Sequence, residues 1–176
     1  FGKTNDKFQS EKTILNPQSP YGTAKVFAHL ITKNYRDAYK IFASNGILFN
    51  HESPFRGDNF VTKKIISSLT KIKYGKQKQL VLGNLYAKRD WGHAADYVEA
   101  IYKILQQKKS DDYVIATGKE YTIKEFINKT AKCLKLKLFW RGKGLKEQAV
   151  NEKGKIIIKV SKIYFRPLEV DFLKGN

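Results

Sequence analysis

Tyr21 and Lys25 stand four positions apart in Ser19-Pro20-Tyr21-Gly22-Thr23-Ala24-Lys25. On a helix that spacing puts a phenol and an ammonium on one face, where the cation favours phenolate and lowers the phenol pKa from about 10 toward working pH. Such a pair can act as a general base on an alcohol. Spacing alone does not single it out. Ten Tyr among 29 Lys (34 Lys plus Arg, less five Arg) give one or two such pairs by chance, and Tyr74/Lys78 is a second one. That second pair straddles Gly75 in an expected loop, so no helix holds its groups together.

Three further clusters carry groups suited to anionic ligands. Asn50-His51-Glu52-Ser53-Pro54-Phe55-Arg56-Gly57 reads as a polar loop directly after an apolar run. In open α/β sheets ligands sit outside the carboxyl ends of strands, and a solvated turn is the plain alternative. Lys88-Arg89-Asp90-Trp91-Gly92-His93 contains one of only five Arg, so Arg89 suits bidentate phosphate binding or an ion pair with Asp90 or another carboxylate. His93 reads as a structural histidine near a helix start. Tyr164-Phe165-Arg166-Pro167-Leu168-Glu169 brings an Arg and a Glu close together. Three dispersed His and one Cys make no metal-ligand set.

The elements that must position these groups follow from periodicity. Ser19 suits an N-cap and Pro20 the first helical position, and Ala24, Phe27, Ala28, Ile31, Tyr35 and Ala38 recur at helical spacing to about Tyr39. The segment Ile41 to Phe49, centred on Gly46-Ile47-Leu48-Phe49, suits a strand buried on both faces. Asp58 is placed to cap a helix through Phe60, Val61, Ile65, Leu69 and Ile72, ending at Gly75. Leu80 to Leu82 and Tyr113 to Ala116 read as short strands. Between them a helix carries Tyr97, Val98, Ile101, Ile104 and Leu105 on its apolar face. Thr122 and Glu125 form a capping box for a helix through Phe126, Ile127, Ala131 and Leu134. Trp140 to Lys155 reads as loops, and Ile156 to Val160 as the clearest β run. Before Pro20, residues Phe1 to Gln18 read as a polar connection.

Composition narrows the function classes. A formal charge of +18 from 34 Lys plus Arg against 16 Asp plus Glu invites a nucleic-acid reading. The charge is mostly Lys scattered over solvated helix faces, and Arg is scarce where base readout would need it, so anionic small ligands are favoured over nucleic acid. No apolar run is long enough to span a bilayer, so no membrane association is expected. One Cys and no charged-then-apolar leader point to a reducing cytoplasm. The sequence contains no Met and opens on Phe1-Gly2, from which a piece of a longer protein is expected.

Together these segments resemble a family. The Tyr-x-x-x-Lys segment at Tyr21 and Lys25 is similar to that of the extended short-chain dehydrogenases/reductases. Asn45 to Gly57, Leu82-Gly83-Asn84, Arg89 to Val98, Val114 to Gly118 and Tyr164 to Val170 resemble, in order, the motifs of the GDP-mannose 4,6-dehydratase family within that group. The resemblance implies an α/β chain: an incomplete NAD(P)-binding Rossmann domain of parallel strands and helices, plus a smaller α/β sugar-nucleotide-binding domain. Residues 1–50 and 91–118 would belong to the first domain, and 51–90 and 119–176 to the second.

The family's chemistry implies that Tyr21 takes the mannose 4-hydroxyl proton while hydride passes from C4 to NADP. A Glu then removes the C5 proton as water leaves C6, and the hydride returns to C6. Lys25 would hold the nicotinamide ribose and tune Tyr21. The motif match places His51 and Arg56 at the cofactor, and Asn50, Arg89, Arg166 and Glu169 at the diphosphate, sugar and ribose of GDP-mannose. The resemblance also implies a homo-oligomer built through the Tyr21 helix. The family's glycine-rich loop and active-site Glu would precede Phe1, and its last helical segment would follow Asn176. The alternatives are a fragment of another sugar-nucleotide epimerase or dehydratase, against which the run Asn50 to Gly57 argues, and a non-catalytic basic module that binds polyanions.

Overall fold

A computed structural model of the chain describes residues 1–165 and 173–176. Arg166 and Glu169, both expected at the substrate, lie outside the described residues. The chain divides into two units. One comprises Phe1–Ser53, Lys88–Glu120 and the chain end at residues 173–176; the other comprises Pro54–Ala87 and the chain from Tyr121 to residue 165.

The first unit is built on α1 (Pro20–Tyr39), whose limits follow from local chemistry. Ser19 accepts a hydrogen bond from the Gly22 N–H, Pro20 opens the helix, and Lys40 closes it in the left-handed region at φ 54°. β1 (Asn45–Leu48) then runs parallel to β5 (Asp112–Ile115), with Ile47 beside Val114. β1 is only half-buried, a correction to the expected strand covered on both faces. Among the described strands it pairs with β5 alone, α1 buries none of its residues, and only Phe49, just past the strand, reaches the core.

β2 (Asn50–Glu52) follows at once and pairs in parallel with β4 (Lys88–His93), so Asn50 stands beside Trp91 and His51 beside Gly92. The first segment was expected as a polar loop, and the second was read only as a polar cluster ahead of a helix. Their polarity hid the strands, because three to six residues acquire β structure here from the partner rather than from alternating hydrophobicity. α3 (Ala94–Leu105) leaves β4 through His93, whose Nδ1 accepts from the Ala95 N–H and caps the helix.

The second unit packs two helices on a four-stranded sheet. α2 spans Val61–Lys73 and α4 spans Ile123–Cys133. The expected cap at Asp58 is not formed: Phe60 is the N-cap, without a side-chain bond. At its other end α2 closes as expected at Gly75, where φ of +72° demands glycine, with the Lys76 N–H on the Lys71 carbonyl and the Gly75 N–H on the Ile72 carbonyl. α4 starts at the capping box, with Thr122 Oγ1 accepting from the Glu125 N–H and the Glu125 carboxylate accepting from the Thr122 N–H.

The sheet order is β3 (Leu80–Leu82), β9 (Ile156–Val160), β8 (Gln148–Val150) and β7 (Phe139–Arg141). β3 is parallel to β9, and the other neighbours are antiparallel. The stretch Trp140 to Lys155, expected as loops, therefore holds two strands. Their alternation is short and is broken by an irregularity at Ala149/Val150, which left no readable period. Ile65, Leu69, Ile127, Ile158 and Ala149 are fully excluded from solvent and form this unit's core. Each large aliphatic buried there contributes about 1.5 to 3 kcal/mol. The remaining strand, β6 (Glu120–Thr122), lies in a sheet of order β2-β4-β6.

Candidate active site

α1 carries Tyr21 and Lys25 on its first turns. Lys25 Nζ lies 5.5 Å from the centroid of the Tyr21 ring, within cation–π range, and Tyr21 is 73% exposed. The two side chains thus lie side by side on one face of the helix.

The other end of α1 is pinned. Arg36 donates to Asp112 Oδ1 at 3.0 Å and to the Ala43 carbonyl at 3.1 Å. Asn45 Nδ2 donates to the same Asp112 oxygen and to the His29 carbonyl, and His29 Nε2 lies 3.5 Å from Asp112 Oδ2. Burial pushes the Asp112 carboxyl up, but the bonds from Arg36 and Asn45, with the charge of Arg36 and the nearby His29, hold it below the ordinary carboxylate range. This cluster ties α1 to the start of both parallel strands.

At the ends of those strands, β2 and β4 bring Asn50, His51 and Arg89 onto one sheet. His51 Nδ1 is 2.9 Å from the Phe49 carbonyl, which can only accept, so Nδ1 carries the proton. The imidazole is stacked on the Tyr97 ring, with centroids 4.9 Å apart and 29° between planes. Arg89 donates to the Lys88 carbonyl. Asp90 is not its partner: that carboxylate, fully buried, accepts from Thr117, Gly118 and Gly175 instead.

In the second unit the Arg56 guanidinium lies 3.5 Å over the Phe60 ring. There too Lys124 donates to the buried Glu147 at 2.6 Å, and Tyr86 donates to the same oxygen. Contact with Glu147 raises the Lys124 pKa above its ordinary value.

Periodicity placed Tyr97 on an apolar helix face and left its partner unseen. Tyr97 is 3% exposed, and its hydroxyl has no hydrogen-bond partner among the described residues. Burial, then the charge of Asp90, push that phenol up to about 12. The available signal was Gly92, because a glycine inside a strand marks a close approach. A Cβ there would fall 2.3 Å from Tyr97 Cε2. Among the described residues no group of three or more His, Cys, Asp or Glu could hold a metal ion, and no helix is long and apolar enough to cross a membrane.

A family model described as GDP-mannose 4,6 dehydratase matches residues 1–176. The chain is 51% identical over 176 residues to GDP-mannose 4,6 dehydratase 2 of Caenorhabditis elegans, covering all of this chain and 46% of that protein. It is 49% identical over 177 residues to GDP-mannose 4,6 dehydratase of Homo sapiens, covering 48% of it. The chain thus spans about half the length of the curated relatives it matches. Among solved structures, RMD from Pseudomonas aeruginosa complexed with NADPH is similar in fold, with a TM-score of 0.76 at 19% identity over 97% of this chain and 50% of that one.

Proposed function

Because the chain belongs to the GDP-mannose 4,6-dehydratase family, we propose that it supplies the Tyr/Lys pair and part of the nucleotide-sugar site of an NADP-dependent hydro-lyase acting on GDP-mannose. The product would be the 4-keto-6-deoxy sugar nucleotide. The observation that carries this reading is the Tyr21/Lys25 pair on one face of α1, within a chain whose every residue falls inside the family match.

In this reading Tyr21 Oη takes the proton of the sugar 4-hydroxyl. The Lys25 ammonium, close to the ring, offers donors to ribose hydroxyls. NADP, when bound, supplies a reversible hydride acceptor. The residues present suit it: an exposed phenol and ammonium for ribose, a His51 ring with Nε2 left as acceptor, and an Arg56 guanidinium steadied on Phe60 for phosphate. Asn50 and Arg89 are the groups for the sugar and diphosphate. A cation at a diphosphate forms the charge-assisted bonds that fix the leaving end of a nucleotide sugar.

The substrate, the cofactor and the assembly of the whole protein as a homo-oligomer belong to this proposal, as does inactivity of the 176-residue chain by itself. The test is a fusion of this chain to the remaining half of the C. elegans relative, incubated with GDP-mannose and NADP. Formation of the 4-keto-6-deoxy product by the fusion, and none by the 176-residue chain alone, is expected. A folded fusion that leaves GDP-mannose untouched, or converts dTDP-glucose instead, would overturn the reading.

A further inference from the structure

Gly92 is the cross-strand neighbour of His51 in the β2–β4 pair, so the place beside the imidazole on that face of the sheet holds no side chain. The Tyr97 ring fills it from α3. A Cβ at position 92 would meet Tyr97 Cε2 at 2.3 Å and Thr117 Cγ2 at 3.1 Å, so the ring occupies the space that glycine leaves. Tyr97 is buried at the cost of a hydroxyl without a hydrogen-bond partner among the described residues. The part of Tyr97 that meets His51 is its ring face, stacked on the imidazole, and a Phe at this position would present the same face.

We infer that Tyr97, seated over Gly92, is a positioning residue that fixes the His51 imidazole with Nδ1 protonated and Nε2 as a hydrogen-bond acceptor, selecting a donor group of the cofactor rather than its phosphate. Two coupled constraints hold the ring. The stack on Tyr97, at 4.9 Å and 29°, keeps the imidazole in the plane where Nδ1 reaches the Phe49 carbonyl at 2.9 Å, and that bond sets which nitrogen holds the proton. A ring constrained in both respects presents one lone pair in one direction. An acceptor lone pair matches a carboxamide N–H or a ribose hydroxyl, whereas a phosphate would need a second N–H donor. The inference rests on His51 being a cofactor contact.

The ligand-free 176-residue chain provides the first test. With three His in the sequence, long-range proton–nitrogen correlation spectra at pH about 8, above the ordinary His value of about 6.5, resolve each tautomer, and His51→Gln assigns the signal. His51 is expected as the Nδ1–H form. Tyr97→Phe should keep that form, while Tyr97→Leu and Gly92→Ala, which remove or displace the flat face, should give a mixture with His29 and His93 unchanged. An Nε2–H form in the unsubstituted chain overturns the inference whether or not the variants fold, and so does an unchanged tautomer in folded Tyr97→Leu. The second test uses the fusion protein. Tyr97→Leu is expected to weaken NADP and NAD binding alike by roughly three- to tenfold, and Tyr97→Phe to restore both, in line with the loss of one aromatic stack. Loss confined to NADP would assign His51 to the extra phosphate and overturn the choice of ligand group. Affinity unmoved by His51→Gln would overturn the cofactor contact itself, without touching the tautomer result or the proposed dehydration.

Discussion

Asp90 accepts both the hydroxyl and the backbone N–H of Thr117 at a single carboxylate oxygen, at 2.6 and 2.9 Å. Its other oxygen takes the N–H of Gly118 at 2.9 Å and that of Gly175 at 3.4 Å, and the side chain is fully buried. One carboxylate thus ties the turn after β5 and the chain end to the strand that carries Arg89 and Gly92. Asp90→Ala removes the acceptor of all four bonds and empties a buried position, while the part-exposed donors of Thr117 and Gly118 can turn to water. With solvent replacing part of what is lost at the part-exposed turn, the net loss should be roughly 3 kcal/mol, equal to about two charge-assisted bonds at about 1.5 kcal/mol each, and appear as a lower melting temperature. A melt unchanged in this variant would contradict the assignment.

Tyr21→Phe in the fusion protein is expected to reduce turnover by orders of magnitude and to leave GDP-mannose affinity almost unchanged. In the proposed reaction the phenol would act when the 4-hydroxyl proton moves, so its removal would cost transition-state rather than ground-state binding. Single-turnover rates and calorimetry separate the two, and near-normal turnover would remove Tyr21 from the reaction.

Arg89→Ala should weaken GDP-mannose binding by about 1 to 3 kcal/mol if the guanidinium meets phosphate through charge-assisted bonds. The same loss is expected for Arg166→Ala. Calorimetry on the fusion is the measurement, and unchanged affinity in both variants would move the diphosphate elsewhere.

Asp112 gives the stability a definite pH dependence. Burial opposes its ionisation, yet Arg36, Asn45 and His29 hold its folded pKa below the ordinary value of 3.8. The unfolded chain therefore binds the proton first as pH falls, and the stabilisation present above about pH 4 is lost as pH drops through the lower folded value. Melts of the unsubstituted chain and of Asp112→Asn should converge over that acidic range. A gap that widens on acidification would reverse the sign assigned here.

Features set by neighbouring residues were legible from the sequence: the start of α1 at Ser19-Pro20, the capping box at Thr122 and Glu125, and the stop at Gly75. Features set by distant partners were not. β2, β7 and β8 are three residues each and owe their state to the strands beside them. The apolar face of α3 was read correctly as a periodicity, but only Tyr97 is buried, while Val98 and Leu105 are exposed, because amphipathic spacing does not say what covers a face. Tyr21 and Lys25 were found as a pair because both lie on one helix. The His51–Tyr97 stack joins a strand to a helix and left only Gly92 as a trace.

α1 has an unequal hold on its own length. It buries none of its residues, in contrast to α4 with Ile123, Ile127 and Ala131, and its polar ties gather near Arg36, roughly 22 Å of helix from Tyr21. A helix of this length that buries so little of itself is marginal in water. Local opening should therefore be cheapest at the Tyr21 end, and amide hydrogen exchange in this chain should run fastest there, slow toward Arg36, and be slowest in α4. Binding at Tyr21 and Lys25 would then order the segment as well as engage it. In the fusion protein GDP-mannose and NADP should retard exchange at the amides from Gly22 to Lys25 more than at those around Arg36, and uniform protection along α1 in the free chain would show that the segment opens as a single piece.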